Sequence, residues 1–435
     1  MRAVVVGGGV AGLVAARDLT AAGHEVVVLE ATDRAGGKIR RAQVGGATVD
    51  VGAEAMVNRR ADGVGLAREL GLDVVHPVVA SSRVWTRGAL RPLPRTLLGW
   101  PLDLDGLAAS GVLSDEGRER ALAPRDVPAG DEIDDDVAVG DLVAARFGDE
   151  VVERLTEPLL GGVYAGRARG ISTRAAAPVL LDLARGADLP VGDPTVPVFA
   201  ATRGGMGALV ERLADGLDVR TGVTVRSLRR TAAGFEVAGE RADAVVLAVP
   251  AAPAARLLAD LAPGASAELA AVEYASVAVV TLAFAAADVP DAVREASGFL
   301  VPPVDGRRIK ASTFTSSKWG AAHVGAGDDV VLLRTSVGRL GEERLLQRPD
   351  DDLVAASLAD LHEAVGLAAT PVDALVQRWG GGLPQYPVGH LGRVARVRAD
   401  VARTPGLAVC GAAYDGVGVA ACIASGRAAA RDVAP

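Results

Sequence analysis

The sequence predicts an α/β (α+β) chain whose doubly wound sheet is assembled from separated stretches and interrupted by insertions. Three observations predict it. The first thirty residues run from an apolar strand through a glycine-spaced turn and an alanine-rich helix into a second apolar strand. Stretches of the same strand–turn–helix character return near the middle and at the end of the chain. Between them lie a mainly helical stretch and a region of alternating strands.

The opening unit is the most informative. The run Ala3–Val6 meets Gly7, Gly9 and Gly12 at G-x-G-x-x-G spacing, and the second run, Val26–Leu29, closes on Glu30, 18 residues beyond Gly12. Such a β-α-β unit is suited to a dinucleotide: the first glycine allows the tight turn, the second lets a pyrophosphate approach the backbone, and the third lets helix and strand pack closely. The phosphates would sit at the helix N-terminus, where amides lack internal partners. The acid at the end of the second strand can accept hydrogen bonds from a ribose.

The remaining elements follow in order. Residues 36–54 read as a glycine-punctuated hairpin region and Ala61–Leu72 as a helix with an apolar face and a glycine stop. From about 80 to 200 the pattern is mainly helical; Gly130–Leu160 opens with a solvated acidic cluster and passes into amphipathic helix. Phe199–Leu217 reads as a turn and helix, VRTGVTVRSLRR as a strand, GFEVAG as a short strand, and DAVVLAVPAAPAARLL as strand, turn and helix. Residues 265–400 hold alternating strands and a helix, and the last 35 residues return to strand, glycine-rich turn and helix. The expected division is one domain from 1–78, 201–262 and 400–435, a mixed-sheet domain from 79–90 and 263–399, and a helical insertion over 91–200.

Composition narrows the function. In 435 residues, Lys+Arg 46 against Asp+Glu 54 gives a net charge of −8, which argues against nucleic acid as the main partner but leaves room for an anionic small substrate. Half the residues are hydrophobic and only 3% aromatic, so Val, Ala and Leu form most of the core. The two cysteines, Cys410 and Cys422, make neither a disulfide framework nor a metal-ligand set; they read as small buried hydrophobes in a cytoplasmic protein. No metal site is expected. No run of 18 uncharged apolar residues suggests a membrane span, and the N-terminal apolar run is needed as a strand rather than as a signal peptide. The apolar stretch Leu93–Leu113, with Trp100, suits core or interface packing, with a lipid-facing or substrate-mouth role as the alternatives.

Behind Glu30 comes A-T-D-R-A-G-G-K (Ala31–Lys38), a flexible turn followed by a cation, and then D-x-G-A-E (Asp50–Glu54). With the fingerprint, these resemble the amine oxidase superfamily of FAD enzymes. Within it the chain is similar to the protoporphyrinogen/coproporphyrinogen oxidases of haem biosynthesis. The similarity runs through GAEAMVNRRADGVGLARELGL (52–72), GGVYAG (161–166), ATRGGMGALVERL (201–213), RWGGGLPQYPVGHLGRV (378–394) and CGAAYDGVGVAACIASGRAAA (410–430). It departs where GGVYAG runs into RARGIS and over residues 95–135.

The resemblance implies a discontinuous Rossmann-type FAD-binding domain, a mixed-sheet substrate domain and an inserted helical domain. FAD would lie along Gly7, Gly8, Gly9, Val10, Ala11 and Gly12, with Glu30 on the ribose and Ala31, Gly37 and Lys38 nearby. Gly52, Ala53, Glu54 and Ala55 would meet the flavin from one side. Gly411, Gly418, Val419 and Ala420 would bring the N-terminus of the last helix to it, Val225 would bind the adenine through its backbone, and Trp379 would pack close to the ring. Arg83 stands where the family places a propionate-binding arginine, Tyr164 is a pocket candidate, and His390 suits a structural hydrogen bond.

No catalytic protein residue is implied, because the flavin carries the chemistry. The implied activity is six-electron oxidation of coproporphyrinogen III by dioxygen with release of hydrogen peroxide. Protoporphyrinogen is the alternative substrate; the Ala/Arg-rich composition favours the former. The implied partners are the porphyrinogen and O2, with peripheral membrane contact and transient contact with the next haem-pathway enzyme left open. Two rivals remain at this stage. One is a flavin amine oxidase, which would need an aromatic cage and usually a lysine over the flavin, whereas the chain holds only Lys38, Lys310 and Lys318. The other is a non-catalytic FAD- and porphyrin-binding carrier.

Overall fold

The computed structural model describes residues 1–123, 136–187, 196–320, 325 and 327–434. The acidic cluster opening Gly130–Leu160 falls largely outside the described residues. The first strand, Arg2–Val6, is the middle of a five-stranded parallel sheet in the order Asp218–Arg220, Glu25–Leu29, Arg2–Val6, Ala244–Leu247, Leu407–Val409. Its side chains alternate between two cores, as a strand covered on both faces requires. Ala3 and Val5 pack against the helices Val10–Ala21 and Val419–Val433. Val4 and Val6 pack against the helix Ala251–Leu258 and a small antiparallel sheet spanning Leu228–Ala242. The first and last helices approach so closely that a Cβ on Gly426 would lie 2.2 Å from the carbonyl oxygen of Ala11.

A second, seven-stranded sheet runs Asp373–Pro384, Tyr274–Ala285, Val330–Val337, Ile309–Thr313, Gly298–Leu300, Ser82–Thr86, Ala89–Pro92. It is mixed because Gly298–Leu300 pairs in parallel with Ser82–Thr86. One face packs under the helix Asp350–Val365. The other meets the helices between Leu104 and Ala184, whose core takes in Val84, Trp100, Tyr164 and Tyr386.

Three local expectations are corrected. The mainly helical pattern does not start at about 80: Ser82–Thr86, Ala89–Pro92, Thr96–Leu97 and Trp100–Pro101 are extended, and the first helix of this region starts at Leu104. Phe199–Thr202 is a strand before the turn and helix, because it pairs with Met56–Val57 and Val74–Val75. VRTGVTVRSLRR is not one strand. Residues 221–227 are irregular because Gly222 and Val223 donate their N–H groups to the carbonyls of Thr32 (2.7 Å) and Glu30 (2.8 Å), which draws the chain off the ladder. Val225 therefore lies in a loop.

Trp100 is 4% exposed and meets the Phe147 ring edge-on at 4.9 Å, so core packing is what the structure shows for it. No described helix is long and apolar enough to cross a membrane. Trp100→Ala is expected to cost about 3 kcal/mol or more, read as a lowered urea midpoint; an unchanged midpoint would contradict this packing role.

Candidate active site

The turn after the first strand is shaped by what cannot fit there. A Cβ on Gly12 would come within 2.0 Å of the Gly7 carbonyl oxygen, whereas the corresponding position on Gly9 has no atom within 4 Å. The helix Val10–Ala21 has no side-chain cap, and its first internal bond runs from Leu13 N–H to Gly9. The N–H groups of Val10, Ala11 and Gly12 are therefore open toward the space Gly9 leaves, an arrangement that favours an anion. Gly36 donates to the carbonyl of Gly8 at 2.8 Å, folding the Gly36–Gly37 turn onto this loop. Glu30 is buried; its carboxylate accepts the N–H of Gly8 (2.7 Å) and the N–H and hydroxyl of Thr32 (2.9 and 2.8 Å). Thr32 fixes this acid's orientation, a role that sequence reasoning missed. A carboxylate has further lone pairs for ribose hydroxyls. Exposed Ala31 follows directly. Val225 is half-buried nearby, and neither its N–H nor its carbonyl is hydrogen-bonded to a described residue.

The far end of the cradle is the last helix. Gly418 caps it without a side-chain bond, which leaves the N–H groups of Val419 and Ala420 open, and the Gly411–Gly418 turn leads into it. Gly411 donates to the Ser425 hydroxyl at 3.2 Å. Because Gly426 lies beside Ala11, seven residues separate the start of the last helix from the start of the first, about 10 Å along the axis. Two bare helix N-termini offset by that span suit a pyrophosphate at one end and a flavin ring at the other, joined by a ribityl arm. Lys38 lies close to this end. Its ammonium makes no hydrogen bond or ion pair with a described residue; burial lowers its pKa, with the Cys422 thiol as its neighbour.

The segment Asp50–Ala55 joins the two sheets. The carbonyls of Asp50 and Gly52 accept from Arg334 Nη1 (2.9 and 3.1 Å), and that of Val51 accepts from Trp379 Nε1 at 3.1 Å. Ala53 donates to the carbonyl of Lys38 at 3.1 Å, while the amides of Gly52, Glu54 and Ala55 have no partner among the described residues. The Glu54 side chain turns from the cofactor side to the second sheet, bonding Lys318 Nζ at 2.6 Å and pairing with Arg334 at 3.4 Å. Burial disfavours its charge, but Arg334 and Lys318 outweigh burial and hold the carboxyl down at about 2. Asp50 shows the opposite balance. Burial lifts it to about 6, although the amides of Met206 (2.6 Å) and Gly207 (3.1 Å) donate to it. Neither Lys318 nor Arg334 carries a local sequence signal, since they stand 264 and 280 residues from Glu54.

The substrate candidates lie elsewhere. Tyr164 is buried, tilted against Tyr386 at 5.5 Å, and burial pushes its phenol up to about 12. Tyr386 stacks on His390 at 3.9 Å, and His390 Nε2 bonds the Tyr414 carbonyl at 3.2 Å, so this histidine is tied into the structure. Arg83 pairs with Glu295 at 3.7 Å on the sheet's far side from Trp379. The structure thus draws the glycine turn, Glu30, Lys38, Gly52–Ala55, Trp379 and the last helix around one cradle, while Arg83 stands apart. Cys410 and Cys422 are free and buried, and no group of metal-ligating side chains occurs among the described residues.

The family described as flavin containing amine oxidoreductase matches residues 10–434. The chain belongs to this family. This flavoprotein is similar to the coproporphyrinogen III oxidase of Mycobacterium tuberculosis (strain ATCC 25618 / H37Rv), 41% identical over 98% of this chain and 95% of the relative. It is 30% identical to that of Bacillus subtilis (strain 168), over 99% of this chain and 97% of the relative. A crystal structure from Exiguobacterium sp. 255-15 superposes with a TM-score of 0.87 at 30% identity, covering 99% of this chain and 98% of the other. FAD is the cofactor of this chain, and the open amides, the offset helix N-termini and Glu30 of the cradle fit it.

Gly12→Val is expected to yield protein without the flavin absorbance band; retention of FAD would contradict the close approach. Glu54→Gln is expected to cost about 3 kcal/mol at neutral pH. The folded carboxyl is depressed, so its contribution is full above pH 4.5 and lost as pH falls toward 2. The stabilities of the two proteins should converge over that window in pH-dependent urea titrations, and a gap independent of pH would contradict the ion triad.

Proposed function

We propose that this flavoprotein oxidises coproporphyrinogen III to coproporphyrin III, with dioxygen as acceptor and hydrogen peroxide as the second product. The observation that carries the reading is the 41% identity, over 98% of the chain, to a relative of that name. The overall change removes six electrons and six protons from the porphyrinogen and converts three O2 to three H2O2. Bound in the cradle, FAD supplies the two-electron oxidation that each of the three rounds requires.

The chain's own residues bind, orient and tune. The amides of Val10, Ala11 and Gly12 would hold the pyrophosphate, Glu30 the ribose, and the Val225 backbone the adenine. The positive end of the last helix, at Gly418–Ala420, and the Lys38 ammonium favour negative charge at the ring edge they face. Gly52, Glu54 and Ala55 would offer amides to the same ring, with Trp379 and Arg334 holding the carbonyls of Asp50, Val51 and Gly52 away. Tyr164 would line the substrate side. Cytoplasmic residence accords with two free, buried cysteines.

Anaerobic mixing with coproporphyrinogen III is expected to bleach the flavin band, and admission of air to restore it with three peroxides released per porphyrin formed. An unbleached band overturns the proposal. A larger kcat/KM on protoporphyrinogen than on coproporphyrinogen III would transfer the reading to the former substrate.

A further inference from the structure

We infer that Arg59 and Arg60 form a carboxylate-recognition site at the mouth of the cofactor cradle, taking the acidic side chains of an otherwise apolar tetrapyrrole. This rests on the porphyrinogen reading above and names which residues of that site choose the substrate.

The pair joins the strand Met56–Val57 to the helix Ala61–Glu69, directly after the Gly52–Ala55 segment. Both side chains are exposed, and neither makes a hydrogen bond or ion pair with a described residue. Other arginines, among them Arg83, Arg154 and Arg398, are paired to acids; what distinguishes Arg59 and Arg60 is that two uncommitted guanidinium groups are adjacent and follow the Gly52–Ala55 segment directly. Two adjacent guanidinium groups without counterions repel each other, and an anion between or beside them relieves that repulsion. Guanidinium forks match carboxylates in geometry as well as charge.

Their position is fixed from two sides. One turn into the helix that Arg60 caps, a Cβ on Gly63 would lie 3.5 Å from the Ala420 side chain, so this helix starts against the first turn of the last helix. Arg60 thus stands about one turn, roughly 5 Å along the axis, from residues at the ring end of the cradle. From the other side, Tyr164 packs on Tyr386, whose hydroxyl bonds the Ala412 carbonyl in the turn leading to that same end. The Tyr164 hydroxyl has no hydrogen bond to a described residue, and the Arg60 charge acts on it.

Exposed apolar side chains stand near the pair. Val57 and Phe199 face each other across a strand pair and remain 41% and 43% exposed, and Val163, next to Tyr164, is 42% exposed. Exposed apolar residues beside uncommitted cations suit an amphiphile with a hydrocarbon ring and peripheral carboxylates. Arg83, held by Glu295, is less free to serve that purpose.

The test is steady-state kinetics of the FAD-loaded enzyme on coproporphyrinogen III over a range of salt concentrations. Arg59→Met/Arg60→Met is expected to raise KM about tenfold or more, leave kcat and flavin content unchanged, and flatten the salt dependence of kcat/KM. Arg59→Lys/Arg60→Lys should recover part of the loss. Because coproporphyrinogen carries four carboxylates and protoporphyrinogen two, the Met variant should also narrow the difference in KM between them. Wild-type turnover with an unchanged KM and salt slope in the Met variant overturns this inference alone. Absence of wild-type turnover on either porphyrinogen overturns the reading beneath it, and this inference with it.

Discussion

The buried carboxylate of Glu54, gripped by Lys318 and Arg334, is the interaction on which the site's geometry depends. Removing three charges from water is expensive, and the arrangement persists only because each charge meets an opposite one at short range. What it secures is the orientation of a short backbone segment. With the carbonyls of Asp50, Val51 and Gly52 engaged by Arg334 and Trp379, and the amides of Val51 and Ala53 by the carbonyls of Arg40 and Lys38, the Gly52 amide is left for another acceptor. Side chains of the second sheet thereby set how the segment after the hairpin Arg41–Asp50 presents its backbone.

The cradle is otherwise built from main chain rather than side chains. Two helix N-termini, a glycine turn and one acid supply nearly all its polar groups, with Lys38 as the added cation. Such a site asks for small residues and exact spacing rather than for many particular polar side chains, which is why glycine spacing carries so much of the signal. The substrate side follows a different logic, since apolar walls can be assembled from many side chains and leave little trace in any short motif.

That difference explains what was legible. The strand Arg2–Val6, the turn at Gly7–Gly12, Glu30, the returning strands at Ala244–Leu247 and Leu407–Val409, and the last helix are all marked by local pattern. The ion triad is not, because Lys318 and Arg334 come from segments remote from Glu54 and each looks like an ordinary surface residue. The loop at Val225 was hidden for a related reason: its sequence alternates as a strand should, and only hydrogen bonds to Glu30 and Thr32 divert it. The short strands between Ala89 and Pro101 were overlooked because proline and glycine interrupt any alternation there. Arg59 and Arg60 were in plain view inside a motif, but nothing local distinguishes a free arginine from a paired one.

The central position of the first strand has a consequence for biosynthesis. Arg2–Val6 is synthesised some 240 residues before one of its two neighbours, Ala244–Leu247, and longer still before the helix Val419–Val433 that covers it. For most of translation the strand therefore exposes an unpaired edge and an uncovered apolar face, a state prone to aggregation. Contacts so distant in sequence also slow folding. The open amides of Val10–Gly12 and those of Val419 and Ala420 belong to segments this far apart in sequence, so the complete cradle forms late.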